Sequence, residues 1–253
     1  GSGGGGGYYG GGGAGGYYAD AGGGSGYVDT SVCKYYKSIR GGTGSQKEYW
    51  EAYEGIYSRP VSTTGDGGVT SGNRETARGS NGAVRLSVWN GQVPDTDIID
   101  TAGGDHKFDA GGYRYHVFIN DGSFDFTLTN PSTTEVEYLI IGGGGGGGGG
   151  DVGGGGGAGG YRTNVPGAIS GRRSSAESPM TISAGTFSVV VGDAGLGSSN
   201  PDSDGSNGGD SSFNGITSLG GGGGASWRSG SGRNGGSGGG SVNQNTVTTG
   251  TPG

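Results

Sequence analysis

Residues 136–160 read Val136-Glu137-Tyr138-Leu139-Ile140-Ile141, then nine glycines from 142 to 150, then Asp151-Val152, and then Gly153-Gly154-Gly155-Gly156-Gly157-Ala158-Gly159-Gly160. The first six residues are β-branched, aromatic and apolar, as a strand requires. The glycines after them cannot be an ordinary element. Glycine loses more backbone freedom on folding than any other residue, so an isolated α-helix or strand of this composition is unfavourable. The extended threefold helix remains, with three residues per turn, about 3.1 Å rise and no internal hydrogen bonds. Its N–H and C=O groups point outward and need partners when buried. Helices of this kind lying side by side can supply those partners to one another, provided that no Cβ holds the backbones apart.

Threefold geometry makes a claim about spacing, namely that the rare non-glycine residues of a tract leave one of three faces bare. In the second tract Gly144, Gly147, Gly150, Gly153, Gly156 and Gly159 form such a face, with Asp151 on another and Val152 and Ala158 on the third. In the first tract Gly1, Gly4, Gly7, Gly10, Gly13 and Gly16 do the same, while Tyr8, Ala14 and Tyr17 share one remaining face and Tyr9 and Tyr18 the other. The two tyrosine pairs thus stand three whole turns apart. Collagen shares the local geometry but needs proline between regularly spaced glycines, and the chain has only 7 prolines. A flexible Gly/Ser linker would carry no paired aromatics. Ordered packing is therefore expected for tracts near 3–16, 142–160 and 220–224. A valine at Gly147 is expected to be worse than one at Gly79, which is taken to lie outside the packed backbones.

Composition explains why such packing is needed. With 72 glycines in 253 residues and 28% hydrophobic residues, aliphatic burial cannot order the whole molecule. The net charge of −7 opposes a nucleic-acid partner, because phosphate binding requires clustered Lys and Arg. No apolar run reaches the roughly 18 residues of a membrane helix, so no membrane insertion is expected. The single cysteine, Cys33, has no partner for an internal disulfide and reads as a small buried residue. Glycine-rich sequence at both ends suggests a processed product or a segment of a longer polypeptide.

Between the tracts the alternation is that of β structure. Val84, Leu86 and Val88 point one way and Arg85, Ser87 and Trp89 the other. Tyr113, Tyr115, Val117 and Ile119 repeat the pattern, Asn120-Asp121-Gly122 makes a turn, and Phe124, Phe126 and Leu128 resume it, which predicts a β-hairpin. Further strands are expected over 135–141 and 186–191. Only residues 46–53 have helical character. The expected fold is mainly β, with antiparallel strands in a sandwich-like arrangement beside a packed bundle of polyglycine II helices and almost no α-helix. The expected division is a glycine and tyrosine tract at 1–32, a β-rich insert at 33–112, and a β-hairpin with a glycine-rich module at 113–253.

At residues 113–150, Tyr-Arg-Tyr-His-Val-Phe, then Asp-Gly-Ser-Phe-Asp-Phe-Thr, then Val136 to Ile141 entering a long glycine run, the chain resembles the glycine-rich module of bacteriophage tail fibres and adhesins. Residues 184–192, 208–213 and 220–224 are similar to the rest of that module in order. A Gly-Ser-Gly-Val type strand that commonly ends such modules is matched weakly by Gly239-Gly240-Ser241-Val242. A better match, Gly22 to Val28, stands at the start of the chain, as though one module were ending there. The resemblance, shared with the glycine-rich domain of the anaplastic lymphoma kinase receptor family, implies polyglycine II helices packed beside β structure. For the phage proteins it also implies recognition by loops at a distal tip.

No catalytic, cofactor or metal residue is expected. There is no Gly-x-x-x-x-Gly-Lys-Ser/Thr loop, and the glycine tracts do not open amphipathic helices. Residues 200–210, Asn-Pro-Asp-Ser-Asp-Gly-Ser-Asn-Gly-Gly-Asp, have oxygen donors suited to Ca²⁺, but Asn207 occupies the place of the EF-hand glycine and no glutamate closes the loop. A solvated turn is the favoured reading. His106 and His116 lack a recognisable nucleophile setting, and Glu135 and Glu137 read as solvent-facing. Tyr8, Tyr9, Tyr17, Tyr18 and Trp227 are the surface aromatics suited to stacking on sugars or proteins. The expected function is a non-enzymatic, structural and adhesive extracellular fibre component of a virion, engaged in host attachment. It would self-associate into a fibre or homo-oligomer and meet a host glycan or protein receptor. A fibre-borne or secreted polysaccharide depolymerase and a cell-surface filament scaffold are the alternatives.

Overall fold

The computed structural model describes residues 78–89, 100–150, 153–171, 174–198, 200 and 202–242. The tyrosine tract, Cys33 and residues 46–53, where helical character was expected, lie outside them. Nine strands follow in chain order: β1 (Ala83–Trp89), β2 (Asp100–Ala102), β3 (His106–Ala110), β4 (Tyr113–Phe118), β5 (Gly122–Ile141), β6 (Tyr161–Thr163), β7 (Met180–Val191), β8 (Ser211–Phe213) and β9 (Ile216–Ser218). All pairings are antiparallel, and no α-helix occurs among the described residues. The chain is mainly β, as expected.

Antiparallel strands were expected in a sandwich-like arrangement; they form one curled nine-stranded sheet in the order β3-β4-β1-β5-β7-β8-β9, with β2 and β6 also on β5. Strand β5 is the reason. It runs for 20 residues, pairing β7 from Gly122 to Val136 and β2 from Thr127 to Asn130, then β1 and β6 toward its end, and its register against β7 shifts between Leu128 and Thr133. Such a shift bends a strand and sharpens its twist. The sheet therefore curls over a single core that holds Val84, Leu86 and Val88 from β1, Phe126, Leu128, Val136, Tyr138 and Ile140 from β5, and Val189, Val191 and Phe213.

The hairpin expected at β4 is corrected. Strand β4 pairs with β3 and β1 and not with β5, so the predicted hairpin lies one strand earlier, where Gly111 and Gly112 turn between β3 and β4 with φ of 58° and 84°. The face that β4 buries carries His116 and Phe118, while Tyr113, Tyr115 and Val117 are half-buried on the other. Period-two alternation fixes which residues share a face but not which face turns inward. Strands β1 to β3, within 33–112, share the sheet with the strands of 113–253.

The glycine segments are stacked on the end of this sheet, and their hydrogen bonds run sideways with a repeat of three. Gly142, Gly145 and Gly148 donate to the carbonyls of Gly160, Gly157 and Gly154 at 2.8 to 3.0 Å. Gly143, Gly146 and Gly149 donate to Gly209, Ser206 and Ser203, and Gly144 donates to Ser80. The carbonyls of Gly143, Gly146 and Gly149 accept from Gly221, Gly224 and Trp227, and those of Gly144 and Gly147 accept from Gly195 and Ser198. Segment 142–149 is thus bonded on all three of its faces, which is why the run is unbroken glycine.

Added Cβ atoms would strike backbone almost everywhere. At Gly142, Gly145 and Gly148 they would meet the carbonyl oxygens of Leu219, Gly222 and Ala225, and at Gly143 and Gly146 those of Asp193 and Leu196. Gly79 belongs to the same array, contrary to expectation. Its N–H donates to Gly195 at 2.9 Å, and a Cβ there would collide with the Gly144 carbonyl.

Candidate functional site

Three excursions leave the sheet and return to it. Segment 142–149 follows β5 and 153–160 leads into β6; 192–198 follows β7 and 203–210 leads into β8; 219–226 follows β9, 232–236 comes back along it, and 237–240 runs outward again to meet Ala225. The first two pairs start and finish at the sheet and the third is back beside Gly220 at Gly236, so the chain reverses at the remote end of the array in each. The described residues at these ends are neighbours. Gly149 donates to Ser203, Trp227 donates to Gly149, and Ser203 closes its own turn on Asn200.

The described tip is polar and cross-linked. Arg228 pairs with Asp202 at 2.7 Å, and the Arg233 guanidinium lies 3.8 Å from Asp204. Asp204 also accepts from the Ser226 amide at 2.8 Å and from the Ser229 hydroxyl. Burial pushes the Asp204 carboxyl up, but these donors and Arg233 prevail and hold it below the usual carboxylate range. Trp227, between Ser226 and Arg228 in the chain, has 60% of its surface exposed. It is the one expected surface aromatic that falls among the described residues; Tyr8, Tyr9, Tyr17 and Tyr18 lie outside them.

The acidic segment expected as a solvated turn is an exposed turn at 200–203 only. Residues 204–210 run back toward the sheet, and Asp204, Asn207 and Asp210, three residues apart, accept from the amides of Ser226, Gly223 and Gly220 at 2.8 to 2.9 Å. Their side-chain oxygens do what a backbone carbonyl does elsewhere in the array. The three-residue spacing was visible in the sequence, but its meaning depends on a facing amide row, which no local pattern displays. Among the described residues no group of three His, Cys, Asp or Glu could hold a metal ion.

The titratable residues weighed from sequence are dispersed. His116 is buried, its Nδ1 2.7 Å from the Gly103 carbonyl and its Nε2 2.8 Å from the Thr101 hydroxyl. The carbonyl can only accept, so Nδ1 carries the proton and Nε2 accepts from Thr101. Burial lowers its pKa, which favours the neutral ring. Glu137 accepts from the Tyr113 hydroxyl at 3.3 Å, and Glu135 is exposed. A cluster that sequence reasoning missed is built on Glu177, which takes Arg162 in a bidentate pair at 2.7 and 2.8 Å and also accepts from Tyr138 and Ser170. Burial and this carboxylate push the Tyr138 hydroxyl well above its ordinary pKa. The cluster anchors the 164–179 connection to the sheet, so it is a strut.

The family model of a glycine-rich domain matches residues 119–253. The chain belongs to this glycine-rich domain family. No curated protein and no solved structure matches it. The matched span holds β5 to β9 and all three excursions, yet β1 lies between β4 and β5 in the sheet and residues 79–82 bond to the array. The folded unit therefore reaches upstream of the glycine-rich domain as the family defines it. Among the described residues no helix is long and apolar enough to cross a membrane.

Proposed function

We propose that this chain is a structural and adhesive extracellular fibre protein, a phage tail-fibre or surface-fibre component in which polyglycine II helices carry recognition loops away from a β base. The observation that supports it is the arrangement of the three excursions. A laterally bonded backbone array is stiff without a large apolar core, and it brings three turns of variable chemistry to one remote end. Trp227, Arg228 and Asp202 there offer an indole face and paired charges to a host glycan or protein receptor.

Adhesion and depolymerisation differ in turnover. The labelled chain, incubated with a panel of bacterial hosts, is expected to adsorb to some of them, to lose adsorption in Trp227→Ala with Arg228→Ala, and to release no oligosaccharide. Release of oligosaccharide would instead favour the depolymerase, and undiminished adsorption in the double variant would remove the tip from the reading.

Self-association belongs to the same proposal. The glycine face of 1–16 has the three-residue repeat that the array uses, so copies are proposed to complete one another's bundles through backbone bonds with tyrosines at the rim. Sedimentation of the whole chain tests this; a compact monomer that stays monomeric at high concentration would overturn it.

A further inference from the structure

On the sheet, far in the chain from the tip loops, the side of β1 turned away from the core carries a row of aromatic rings. Trp89 pairs in register with Tyr113, and Ser87 lies between Tyr115 on one side and Glu137 on the other. The Trp89 and Tyr113 rings meet edge to face with centroids 4.8 Å apart, Tyr113 and Tyr115 are 6.2 Å apart, and Phe108 stacks on Tyr115 at 4.9 Å. Trp89 closes the row with 53% of its surface exposed. The indole is seated. A Cβ on Gly112 would come within 2.9 Å of it, so the ring lies directly on that backbone while Tyr113 holds it from the side. Gly112 and Tyr113 thus hold the indole in place while about half of it stays open to solvent, which makes a platform and not a loose surface tryptophan.

We propose that this platform binds a neutral carbohydrate, one pyranose ring stacking on Trp89 and its hydroxyls donating to Glu137 and Glu135. The charges around the row select the class of ligand. Glu137 already accepts from Tyr113, and the charge of Glu135 also reaches that hydroxyl, so an anionic ligand meets two carboxylates. A cation on the rings meets Arg85, whose guanidinium lies 5.7 Å from the Tyr115 centroid. A ligand with an apolar C–H face and several hydroxyl donors, but no charge, satisfies the indole and the carboxylates together. This site does not rest on the reading of the tip.

The experiment follows the indole N–H resonances of the whole chain, which has 3 tryptophans, during titration with neutral tetrasaccharides of glucose, galactose and mannose. Oligolysine and a hyaluronan tetrasaccharide are the charged comparisons. At least one neutral tetrasaccharide is expected to move the Trp89 resonance to saturation, with both charged ligands silent there. Glu137→Gln is expected to weaken that binding by about threefold to tenfold. Trp89→Ala is expected to weaken it at least about tenfold, read from the Tyr113 and Tyr115 ring signals. Both variants are judged against an unchanged backbone amide spectrum, and Trp227→Ala is expected to change nothing. The proposal is overturned if no neutral tetrasaccharide moves Trp89, if a charged ligand moves it instead, if binding survives Trp89→Ala in the folded variant, or if it disappears in Trp227→Ala.

Discussion

The two halves of this molecule are ordered by opposite means. In the curled sheet, large side chains such as Tyr138, Phe118, Phe126 and Phe213 fill one core, and identity at each position decides the packing. In the glycine array there are almost no side chains to pack, and neighbouring backbones exchange N–H and C=O bonds on every face of segment 142–149. A large residue is information in the first half, and the absence of a Cβ is information in the second. The halves are continuous in the chain, since the apolar end of β5 becomes the first glycine segment within one residue.

The largest effect is therefore expected from the smallest residue. Gly145→Val places atoms where the Gly222 carbonyl lies, with backbone and not a yielding side chain as the obstacle. Neither segment can shift without breaking the ladders on its other faces. A loss of about 5 kcal/mol or more is expected, enough to prevent folding of a domain of ordinary stability. A thermal transition within a few degrees of the parent would show that the array is not close-packed.

Phe126→Ala tests the other half. Its ring is fully buried, edge-on to His116 at 5.0 Å and to Phe213 at 6.0 Å. Truncation should cost about 3 to 5 kcal/mol in denaturant unfolding. Two separate transitions in this variant, one retained and one lowered, would show that sheet and array fold independently; a single lowered transition would show that they fold as one.

How much of each half was legible in the sequence follows from the same contrast. Alternation found β1, the end of β5 and the end of β7, because one face of each is apolar. At β4 it separated Tyr113, Tyr115 and Val117 from His116 and Phe118 without showing that the latter pair is the buried one. Imidazole could go inside only because Thr101 and Gly103, on and beside a strand not predicted, meet both ring nitrogens. In the array the threefold spacing was legible, whereas Gly79 was misread because its neighbours in sequence are ordinary and its neighbours in space are Gly144 and Gly195. The tip was legible only as a lone Trp227, since the three turns that compose it are far apart along the chain.

Asn207 stands on the boundary between the two means of ordering, a side chain used as backbone. Its Oδ1 accepts from Gly223 and its Nδ2 donates to the Asn234 carbonyl, both at 2.9 Å. Asn207→Ala leaves a buried amide without an acceptor, which should cost about 2 kcal/mol. Asn207→Asp keeps the acceptor but turns a carboxylate toward the Asn234 carbonyl, so it should be no better at neutral pH and should improve on acidification. Hydrogen exchange at Gly223 checks both, and unchanged protection in Asn207→Ala would show that the side-chain ladder is ornamental.

Glu177 gives the sheet half a pH dependence of its own. Burial raises its pKa, but Arg162, Tyr138 and Ser170 together overcome that and leave it below the ordinary range. A depressed folded pKa means that the stabilisation is complete above the unfolded value, about 4.3, and is lost as pH falls through the lower folded value. Glu177→Gln should lower stability by about 1 to 2 kcal/mol at neutral pH and leave a shallower decline below pH of about 4. Parallel acid limbs for parent and variant would remove Glu177 from the account.

The smallest expected effect separates two reasons for being glycine. Gly167 has φ of 78° and nothing within 4 Å of where a Cβ would stand, so it is glycine for conformation and not for space. Alanine there should cost about 1 to 2 kcal/mol for a left-handed backbone. Asparagine tolerates that conformation, and Gly167→Asn should recover part of the loss. Gly146 has the opposite requirement: a Cβ there would meet the Leu196 carbonyl, and its φ is not in the left-handed region, so Gly146→Asn should be as damaging as Gly146→Ala or worse. If asparagine ranks above alanine at Gly167 and does not at Gly146, the two glycines answer to different physics. The same ranking at both sites would mean that backbone conformation, and not lateral contact, is what the glycine array selects.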